Sequence, residues 1–402
     1  MDNAMEKREQ TPAGVLQRWF GYGAFRTGQE GIIGAILAGR EVLAILPTGG
    51  GKSVCFQVPA LLLPGYTLVI SPLISLMQDQ VANLRARGIA AAHVDSLMGR
   101  YTYHKALYDA GQRQFKFLYT SPERLQNRDF QHFARRNPPC FVVVDEAHCV
   151  SQWGHDFRPG YLRIPEFLDL LPARPRYAGF TATATPHVRQ DMIRHLALRN
   201  PLVQVHGFDR PNLFLAKRHP GNRDRALLDE VERLEGRCGI IYCATHRAVE
   251  HVTDLLHRRG LSAARYHAGL SVAERRDTGQ RFAAGDIDMV AATSAFGMGI
   301  DRGDVSFVLH YNMPASLEEY YQEAGRAGRN GEEARCLLFY SEEDRAVNAR
   351  LLRSQPRPEH GLRLLDSMWR YCRWDGCLRN FLLQYFGEET AGPCGHCGNC
   401  GS

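Results

Sequence analysis

The chain has 402 residues, more than a single hydrophobic core usually serves, so two or three domains are predicted. Apolar residues make up 44% and charged residues 23%, which is typical of a soluble globular protein. There is no run of about 18 apolar residues and no signal peptide, which argues against a membrane or secreted protein and predicts a cytosolic one. Residues 1–207 hold 23 Lys+Arg against 16 Asp+Glu, an excess that suits a polyanionic partner but is also ordinary surface charge.

Short apolar runs alternate with helix-like segments twice along the chain. The predicted strands are 41–46, 67–71, 116–120, 141–145 and 177–181 in the first half, and 238–243, 263–267, 287–293, 306–311 and 336–340 in the second. Because strands that alternate with helices form parallel sheets with covered faces, we predict two α/β domains, 1–207 and 208–340, joined within 200–212. From residue 341 the pattern is helical and then cysteine-rich, which predicts a small third domain over 341–402.

The segment LPTGGGKS, residues 46–53, lies between the first predicted strand and a helix predicted to begin near Lys52. Glycines leave backbone N–H groups free to surround phosphate oxygens, and a helix N-terminus adds a favourable field. Lys52 would reach the β- and γ-phosphates and the Ser53 hydroxyl would ligate Mg²⁺. The usual pattern has glycine where this chain has Leu46, so a plain glycine-rich turn stays an alternative. The predicted nucleotide-binding residues here are Thr48, Gly49, Gly50, Gly51, Lys52 and Ser53.

Two carboxylates, Asp145 and Glu146, directly follow the buried-strand pattern FVVV. In phosphate-loop enzymes a carboxylate at the end of a neighbouring strand holds Mg²⁺, and an adjacent acid orients or deprotonates the attacking water. We therefore predict that Asp145 ligates Mg²⁺ together with Ser53, and that Glu146 acts on the water.

Two arginines, Arg326 and Arg329, lie in QEAGRAGRNG near the end of the second half. Three residues apart, they would share one face of a helix predicted over 316–329. One of them, pointing at the γ-phosphate across a cleft, would act as an arginine finger. The alternative is a solvated helix face.

The chain has eleven cysteines, and most are isolated in apolar runs, as reduced core thiols are. Four near the C-terminus have the spacing C-x16-C-x2-C-x2-C, which suits tetrahedral Zn²⁺ in a structural site. The predicted ligands are Cys377, Cys394, Cys397 and Cys400, with Cys377 on a helix. Cys372 in place of Cys377, or His396 in place of a thiolate, stays open.

These motifs together resemble RecQ-type DNA helicases of helicase superfamily two, in the order found in that family. The matching pieces are FGYGAFRTGQ, LPTGGGKS, SPLISLMQDQ, YTSPERL, DEAHCVSQWGHDFRPGY, GFTATAT, ATSAFGMGID and YYQEAGRAGRNG. The resemblance implies two RecA-like domains followed by a helical zinc-binding subdomain, whose four cysteines would match Cys377 to Cys400. It also makes Arg329 the first choice for the finger, with Arg326 as its helper.

The resemblance further implies roles that residue patterns alone do not give. Tyr22 would stack on adenine, Gln29 would read its edge and Arg26 would assist. The segment after DEAH would be an aromatic-rich loop, residues 149–161, that contacts single-stranded DNA. Its expected contacts are base stacking by Trp153 and Phe157, phosphate or stacking contact by Arg158, and a link to the catalytic cleft through His155. Thr181 and Thr183 would couple the nucleotide cleft to DNA.

The function implied is an ATP-dependent DNA helicase that translocates 3′ to 5′ on single-stranded DNA and acts in repair or recombination, with ATP, Mg²⁺ and Zn²⁺ as cofactors. Single-stranded and partly duplex DNA would be its partners, in the cytoplasm near a bacterial nucleoid; a single-strand-binding protein is not readable from the sequence. The alternatives are an RNA helicase and a nucleotide-gated DNA-binding or remodelling ATPase. RecQ proteins usually continue into a winged-helix module, whereas this chain ends two residues after Cys400; the sequence is either a shortened piece or a short natural form, and duplex and junction recognition, which that module largely supplies, is in doubt.

Overall fold

The structure is a computed structural model that describes residues 10–47, 49–234, 236–296, 302–354 and 358–401. It divides into two compact units, Met1–Gly207 and Phe208–Ser402. Among the described residues no helix is both long enough and apolar enough to cross a membrane. The two units are built from different strands and are taken in turn.

The first unit contains a seven-stranded sheet in the order β3-β4-β2-β5-β6-β1-β7. Its strands are β1 Val42–Ile45, β2 Thr67–Ile70, β3 Ala91–Val94, β4 Phe117–Thr120, β5 Phe141–Val144, β6 Arg176–Thr181 and β7 Leu202–Val205. All pairings are parallel, and β1, β2, β4 and β5 are buried at every residue. Strands covered on both faces read as continuous apolar runs, which is why the sequence predicts these four.

Helices connect these strands, as parallel pairing requires. They are α1 Pro12–Val15, α2 Gln29–Leu37, α3 Lys52–Leu62, α4 Ile74–Ala86, α5 Arg100–Gly111, α6 Arg128–Arg136, α7 Ile164–Asp169 and α8 Pro186–His195. A π-helical turn, Leu16–Phe20, follows α1, and 3₁₀ turns occupy Pro122–Gln126, Ala147–Val150 and Pro159–Arg163. The last two turns fall within the segment that follows β5, so a 3₁₀ turn lies at each end of the candidate DNA loop.

The second unit contains a six-stranded parallel sheet in the order β10-β11-β9-β12-β13-β8. Its strands are β8 Leu213–Arg218, β9 Gly239–Tyr242, β10 Ala263–Tyr266, β11 Met289–Ala292, β12 Phe307–His310 and β13 Ala334–Phe339. Its helices are α9 Arg223–Arg233, α10 His246–Arg258, α11 Val272–Ala284, α12 Leu317–Ala324, α13 Glu342–Arg353, α14 Pro358–Cys372 and α15 Leu378–Tyr385. The predicted fold class, two parallel-sheet domains with a helical C-terminal region, is confirmed.

The C-terminal helices share a core with the second sheet. Leu365 and Met368 of α14 and Leu382 of α15 belong to the same buried cluster as Ile240 and Val308 of the sheet. Burying these side chains against the strands stabilises the C-terminal helices through the hydrophobic effect. The subdivision of this unit at residue 340 stays a prediction.

All ten predicted strands are present, most of them shorter at one or both ends, and the described residues form three further strands that are not predicted. β3 contains His93, β7 is only half buried, and β8 begins two residues after Pro211. β7 and β8 flank the segment predicted to join the domains, since β7 pairs with β1 of the first sheet and β8 with β13 of the second.

Candidate functional site

The phosphate loop joins β1 to α3, and its glycines have the backbone conformations that the sequence pattern requires. Gly49 has φ +80° and Gly51 has φ +77°, a left-handed region that glycine adopts without steric cost. A Cβ atom on Gly51 would lie 2.4 Å from Nε2 of Gln29. Helix α3 begins at Lys52, as predicted. Thr48 lies outside the described residues.

Two of the three predicted adenine-binding residues, Gln29 and Arg26, contact this loop. Gln29 is buried, and its Nε2 donates to the carbonyl of Gly50 at 3.2 Å. Its Oε1 accepts from the backbone N–H of Arg26 at 2.9 Å, and the Arg26 guanidinium donates to the carbonyl of Gly49. Tyr22 is 51% exposed. Gln29 and Arg26 are therefore hydrogen-bonded to the phosphate loop, while the Tyr22 ring is accessible.

The two carboxylates at the end of β5 occupy different environments. Nζ of Lys52 lies 2.9 Å from Oε1 of Glu146, and Oδ1 of Asp145 accepts from the backbone N–H of Glu146 at 3.0 Å. Burial acts to raise the pKa of Glu146, but Lys52 and His148 hold it well below its ordinary value. Burial, and then the Glu146 charge, raise the pKa of Asp145 to about 6. The two adjacent carboxyl groups thus differ: Glu146 is held ionised, whereas Asp145 is protonated more readily.

Glu146 has a strained backbone, with φ +47° and ψ +50°. The left-handed region costs a residue with a Cβ atom of order 1–2 kcal/mol. Such conformations persist where the surroundings hold them, and they concentrate at functional sites. The ion pair with Lys52 is one contact that holds this carboxylate in place.

His148 joins several of the predicted residues and was not itself predicted as functional. Its Nδ1 lies 2.7 Å from Oγ1 of Thr181 and 3.3 Å from Oε2 of Glu146. The Thr181 hydroxyl also lies 3.2 Å from the carbonyl oxygen of Thr183, so Thr181 links His148 to the GFTATAT motif. The His148 ring also stacks on the ring of His155, with centroids 4.4 Å apart. In the sequence, His148 could have been identified as functional because it is the last residue of the DEAH motif.

The aromatic-rich loop is anchored to the acidic pair by a second residue that was not predicted. The hydroxyl of Tyr161, which is fully buried, donates to the backbone carbonyl of Asp145 at 2.9 Å. Trp153 is 41% exposed and lies edge-on to His187. Partial burial, and then His148, hold the pKa of His155 well below its ordinary value, so this ring is neutral near pH 7. The signal for Tyr161 was the tyrosine that closes DFRPGY.

Arg158 makes contacts within the first unit that were not expected. Its Nε donates to Asp156 at 3.1 Å and its Nη1 to the carbonyl of Pro72 at 2.7 Å. Phe157 is half-buried. The Arg158 contact joins the aromatic-rich loop to SPLISL, another of the matching motifs.

The prediction that Arg326 and Arg329 lie on a helix is wrong. Helix α12 ends at Ala324, and residues 325–330 form turns. Gly328 has φ +58°, and the Arg210 guanidinium donates to the carbonyls of Gly325, Ala327 and Gly328. These carbonyls therefore bond to a side chain instead of continuing a helix. Both arginines border a small cavity in the second unit, beside Phe296.

The four predicted zinc ligands lie together. The sulfur atoms of Cys377, Cys394, Cys397 and Cys400 all lie within 4.8 Å of one another. The prediction that Cys377 lies on a helix is wrong: it precedes α15 as its N-cap, and its sulfur accepts from the N–H groups of Asn380 and Cys394, each at 3.4 Å. Cys372 is buried at the end of α14 and is not part of this group, and the His396 ring lies edge-on to Phe214. Four converging thiols suit a tetrahedral metal such as zinc.

The cysteine segment packs on the edge of the second sheet. Cys397 pairs with Leu215 of β8 through its backbone, as an isolated parallel β-bridge. The N–H of Gly398 donates to the carbonyl of Leu215 at 2.8 Å. A Cβ atom on Gly398 would lie 3.2 Å from Cβ of Ala216, so the segment approaches β8 closely. The segment thereby covers a strand edge that would otherwise be available for pairing.

Three family models match consecutive parts of the chain. They are the DEAD/DEAH box helicase model over residues 26–192, the helicase conserved C-terminal domain over 222–331 and the RecQ zinc-binding model over 342–401. The third match ends on the four-cysteine segment.

Curated relatives agree with these matches. The chain is 40% identical over 385 residues to an ATP-dependent DNA helicase RecQ of Bacillus subtilis, covering 95% of this chain and 65% of the relative. It is 38% identical over 402 residues to a protein of Acanthamoeba polyphaga mimivirus provisionally named as an ATP-dependent RNA helicase, covering 97% of this chain and 72% of that protein. The chain spans less than two thirds of the length of the bacterial relatives it matches.

A solved structure supports the fold. Mycobacterium smegmatis helicase Lhr bound to single-stranded DNA and AMP-PNP aligns with a TM-score of 0.66 at 23% identity, over 87% of this chain and 50% of that one. At that identity the likeness establishes the fold, and the predicted RecA-like architecture is confirmed.

Proposed function

Because this chain belongs to the RecQ family of DEAD/DEAH box helicases, we propose that it is an ATP-dependent DNA helicase. It would couple ATP hydrolysis to 3′ to 5′ translocation on single-stranded DNA and to strand separation during repair or recombination. The observation that carries the proposal is the network from Lys52 through Glu146 and His148 to His155. This network connects a phosphate loop to an aromatic loop, which is the connection that a DNA-stimulated ATPase needs.

The residues around the phosphate loop take roles in ATP binding and hydrolysis. Glycine N–H groups and Lys52 would hold the phosphates, and Tyr22 and Gln29 would receive the adenine. Ser53 and Asp145 would hold Mg²⁺, which supplies charge neutralisation for phosphoryl transfer. Glu146 would orient the attacking water by accepting a hydrogen bond from it, since Lys52 and His148 favour the ionised carboxylate.

The same proposal assigns two states to the Lys52–Glu146 pair. Lys52 pairs with Glu146 in this structure, whereas a bound triphosphate offers Lys52 a more highly charged partner. When Lys52 moves to the phosphate, Glu146 is released toward the water, and His148 remains as its contact. Loop movement transmitted through His155 would then act on Glu146 through His148.

The four cysteines are proposed to hold one Zn²⁺ per chain in a closed structural site. Four thiolates fill the tetrahedral coordination of zinc and leave no position for substrate. The N–H groups of Asn380, Cys394 and His396 that face sulfur atoms support this assignment, because they stabilise thiolates.

Replacement of Arg329 by alanine should lower kcat by about 100- to 1,000-fold, the loss expected when one donor to the transition state is removed. Its effect on ATP affinity should be small, because the charge that it meets develops during transfer. Steady-state ATPase kinetics together with binding of a fluorescent ATP analogue separate the two quantities. Arg326→Ala is the companion variant, and a collapse of nucleotide affinity at constant kcat would make Arg329 a ground-state binder instead.

Replacement of Trp153, Phe157 or Arg158 by alanine should leave basal ATPase nearly intact but remove most of its stimulation by single-stranded DNA. Stacking on Trp153 and Phe157 supplies the contact that distinguishes the DNA-bound state. DNA affinity should fall less, because phosphate contacts elsewhere carry much of it. The measurement is ATPase rate against DNA concentration. The matched control is Trp374→Ala, because Trp374 lies outside the loop and is 44% exposed, compared with 41% for Trp153. Full stimulation of the loop variants at saturating DNA would show that the loop binds DNA without coupling it to ATP hydrolysis.

The assay that decides the function is strand separation on four substrates: a 3′-tailed DNA duplex, a 5′-tailed one, a blunt one and a 3′-tailed RNA duplex. ATP-dependent unwinding of the 3′-tailed DNA alone is expected. Preference for the RNA duplex would favour the activity named for the mimiviral relative. DNA-stimulated ATPase without unwinding of any substrate would favour a nucleotide-gated remodelling protein.

A further inference from the structure

Helix α5 presents two large aromatic side chains to solvent. Tyr101 is 82% exposed and Tyr108 is 66% exposed, and the preceding Leu97 is 79% exposed. The two tyrosines are seven residues apart, close to two helical turns, so they lie above one another on the same face. The opposite face is buried through Tyr103 and Leu107. The packing of α5 therefore does not explain its outward aromatic side chains, which form a surface we call the α5 face.

The charge around the α5 face is strongly positive. Residues 97–136 hold eight Lys+Arg against three Asp+Glu, a net +5 of the +7 carried by residues 1–207. Helix α6 contributes to this surface, because its N-cap Asn127 accepts from the Tyr103 hydroxyl at 3.2 Å. The exposed cations of α5, α6 and the residue that follows the C-cap of α5 are Arg100, Lys105, Arg113, Arg128, Arg135 and Arg136, of which Lys105 pairs with Asp109 at 3.0 Å. Aromatic rings among basic side chains match the chemistry of single-stranded nucleic acid.

The α5 face also continues a row of contacts that starts at the aromatic-rich loop. Arg158 of that loop donates to the carbonyl of Pro72, which follows β2. The turn that begins at Pro159 packs on Pro122, since a Cβ atom on Gly160 would lie 3.2 Å from Pro122 Cβ. Arg124, in the turn after β4, donates to the carbonyl of Asp95 after β3 and stacks over Tyr103 of α5.

Those segments follow β5, β2, β4 and β3, which are successive neighbours in the sheet. Parallel strands end at a common edge, and strand spacing of about 4.8 Å puts β3 roughly 14 Å from β5. A strand of nucleic acid that leaves the aromatic-rich loop along this edge reaches Leu97 and the first turn of α5 next.

We propose that the α5 face is a second binding surface for single-stranded nucleic acid, in which Tyr101 and Tyr108 stack on bases and the surrounding arginines contact phosphates. The polymer identity, DNA, rests on the proposed function, whereas the surface itself rests on exposure and charge. The α5 face extends the site for long strands and takes no part in ATP chemistry.

The test compares oligothymidylates of roughly 8 and roughly 25 nucleotides, lengths that fall within and beyond a single-module site. Fluorescence anisotropy should show that the paired change Tyr101→Ala and Tyr108→Ala weakens binding of the longer strand roughly 30-fold or more, because two base-stacking contacts are lost. The shorter strand and the ATPase rate at saturating DNA should not change. Tyr101→Phe with Tyr108→Phe should keep the affinity, because phenyl rings also stack.

The charge contribution has its own measurement. Arg100→Gln and Arg113→Gln should each reduce the slope of log affinity against log salt by about 0.7, the single-strand value per phosphate contact. Arg40→Gln is the control, since this exposed arginine directly precedes β1, which is separated from β3 by the four strands β4, β2, β5 and β6. Circular dichroism establishes that each variant is folded.

The outcomes separate this surface from the proposed function. Wild-type affinity for both lengths in the folded alanine pair, with an unchanged salt slope in the arginine variants, would overturn the α5 face as a nucleic-acid surface and point to a protein partner there. Failure of the unmodified protein to bind either strand would overturn both proposals together.

Discussion

Replacement of Lys52 by alanine, or of Glu146 by glutamine, should reduce ATP hydrolysis by at least about 1,000-fold, to the background of the assay. Phosphoryl transfer depends mainly on charge neutralisation and on the orientation of the attacking water. Lys52→Ala removes the cation expected at the phosphates. Glu146→Gln keeps the shape of the side chain but removes the charge that accepts a proton.

The two variants should differ in nucleotide binding. Lys52→Ala should bind ATP weakly, whereas Glu146→Gln should retain it, because its lesion lies on the water side of the phosphate. Isothermal titration with a non-hydrolysable analogue tests this difference alongside phosphate-release kinetics. Glu166→Gln, an exposed carboxylate paired with Arg163, is the matched control. Near-normal ATP turnover by a folded Lys52→Ala or Glu146→Gln protein would contradict the assignment of these residues to the ATP-hydrolysis site.

Loss of the four-cysteine site should have the second large effect, on folding rather than on chemistry. Structural zinc contributes on the order of 10 kcal/mol of folding free energy to small domains. The free energy of unfolding of a whole protein is only about 5–15 kcal/mol. Cys397→Ser should therefore unfold residues near the C-terminus and uncover the edge of β8, with loss of solubility or DNA binding. A chelator should do the same to the unmodified protein.

Elemental analysis checks the stoichiometry, with one zinc per chain expected in freshly purified protein and less in each variant. Cys140→Ser is the control, since this half-buried thiol lies in the first unit, away from the group. Limited proteolysis locates the effect, because cleavage should begin within residues 377–401. Protein that is fully soluble and folded without zinc would refute a structural role.

Much of the fold was predictable because the central strands are buried on both faces. Runs such as FVVV have one interpretation at that length, and the glycines of the phosphate loop define the turn that follows β1. Strands β3, β7 and β8 are not predicted, because a histidine in β3, the partial exposure of β7 and a proline just before β8 interrupt the apolar run that identifies a buried strand. Helix α12 was predicted too long, because a charged segment with two glycines preserves helical spacing beyond the end of the helix.

The candidate site was predictable as a set of residues and less so as a set of contacts. Lys52 and Glu146 lie 94 positions apart, and nothing in either motif states that they pair. His148 and Tyr161 belong to the quoted motifs, yet their roles depend on partners brought close by the sheet. Arg158 was predicted as a DNA contact, but in the structure its guanidinium bonds to Asp156 and to the carbonyl of Pro72. The sequence around Arg158 does not reveal these partners.

The order of strands in the second unit has a consequence for how the chain is made. Strand β8 is the first strand of its sheet to leave the ribosome, but it pairs with β13, which is synthesised last. Leu213 can pair with Ala334 only after 121 further residues have been added. At roughly 5–20 residues per second that wait is about 6–24 s. The cysteine segment that covers the other side of β8 emerges later still. During synthesis the second unit therefore spends seconds with an apolar strand unpaired, so its yield in cells should depend on chaperones and on zinc supply more than that of the first unit.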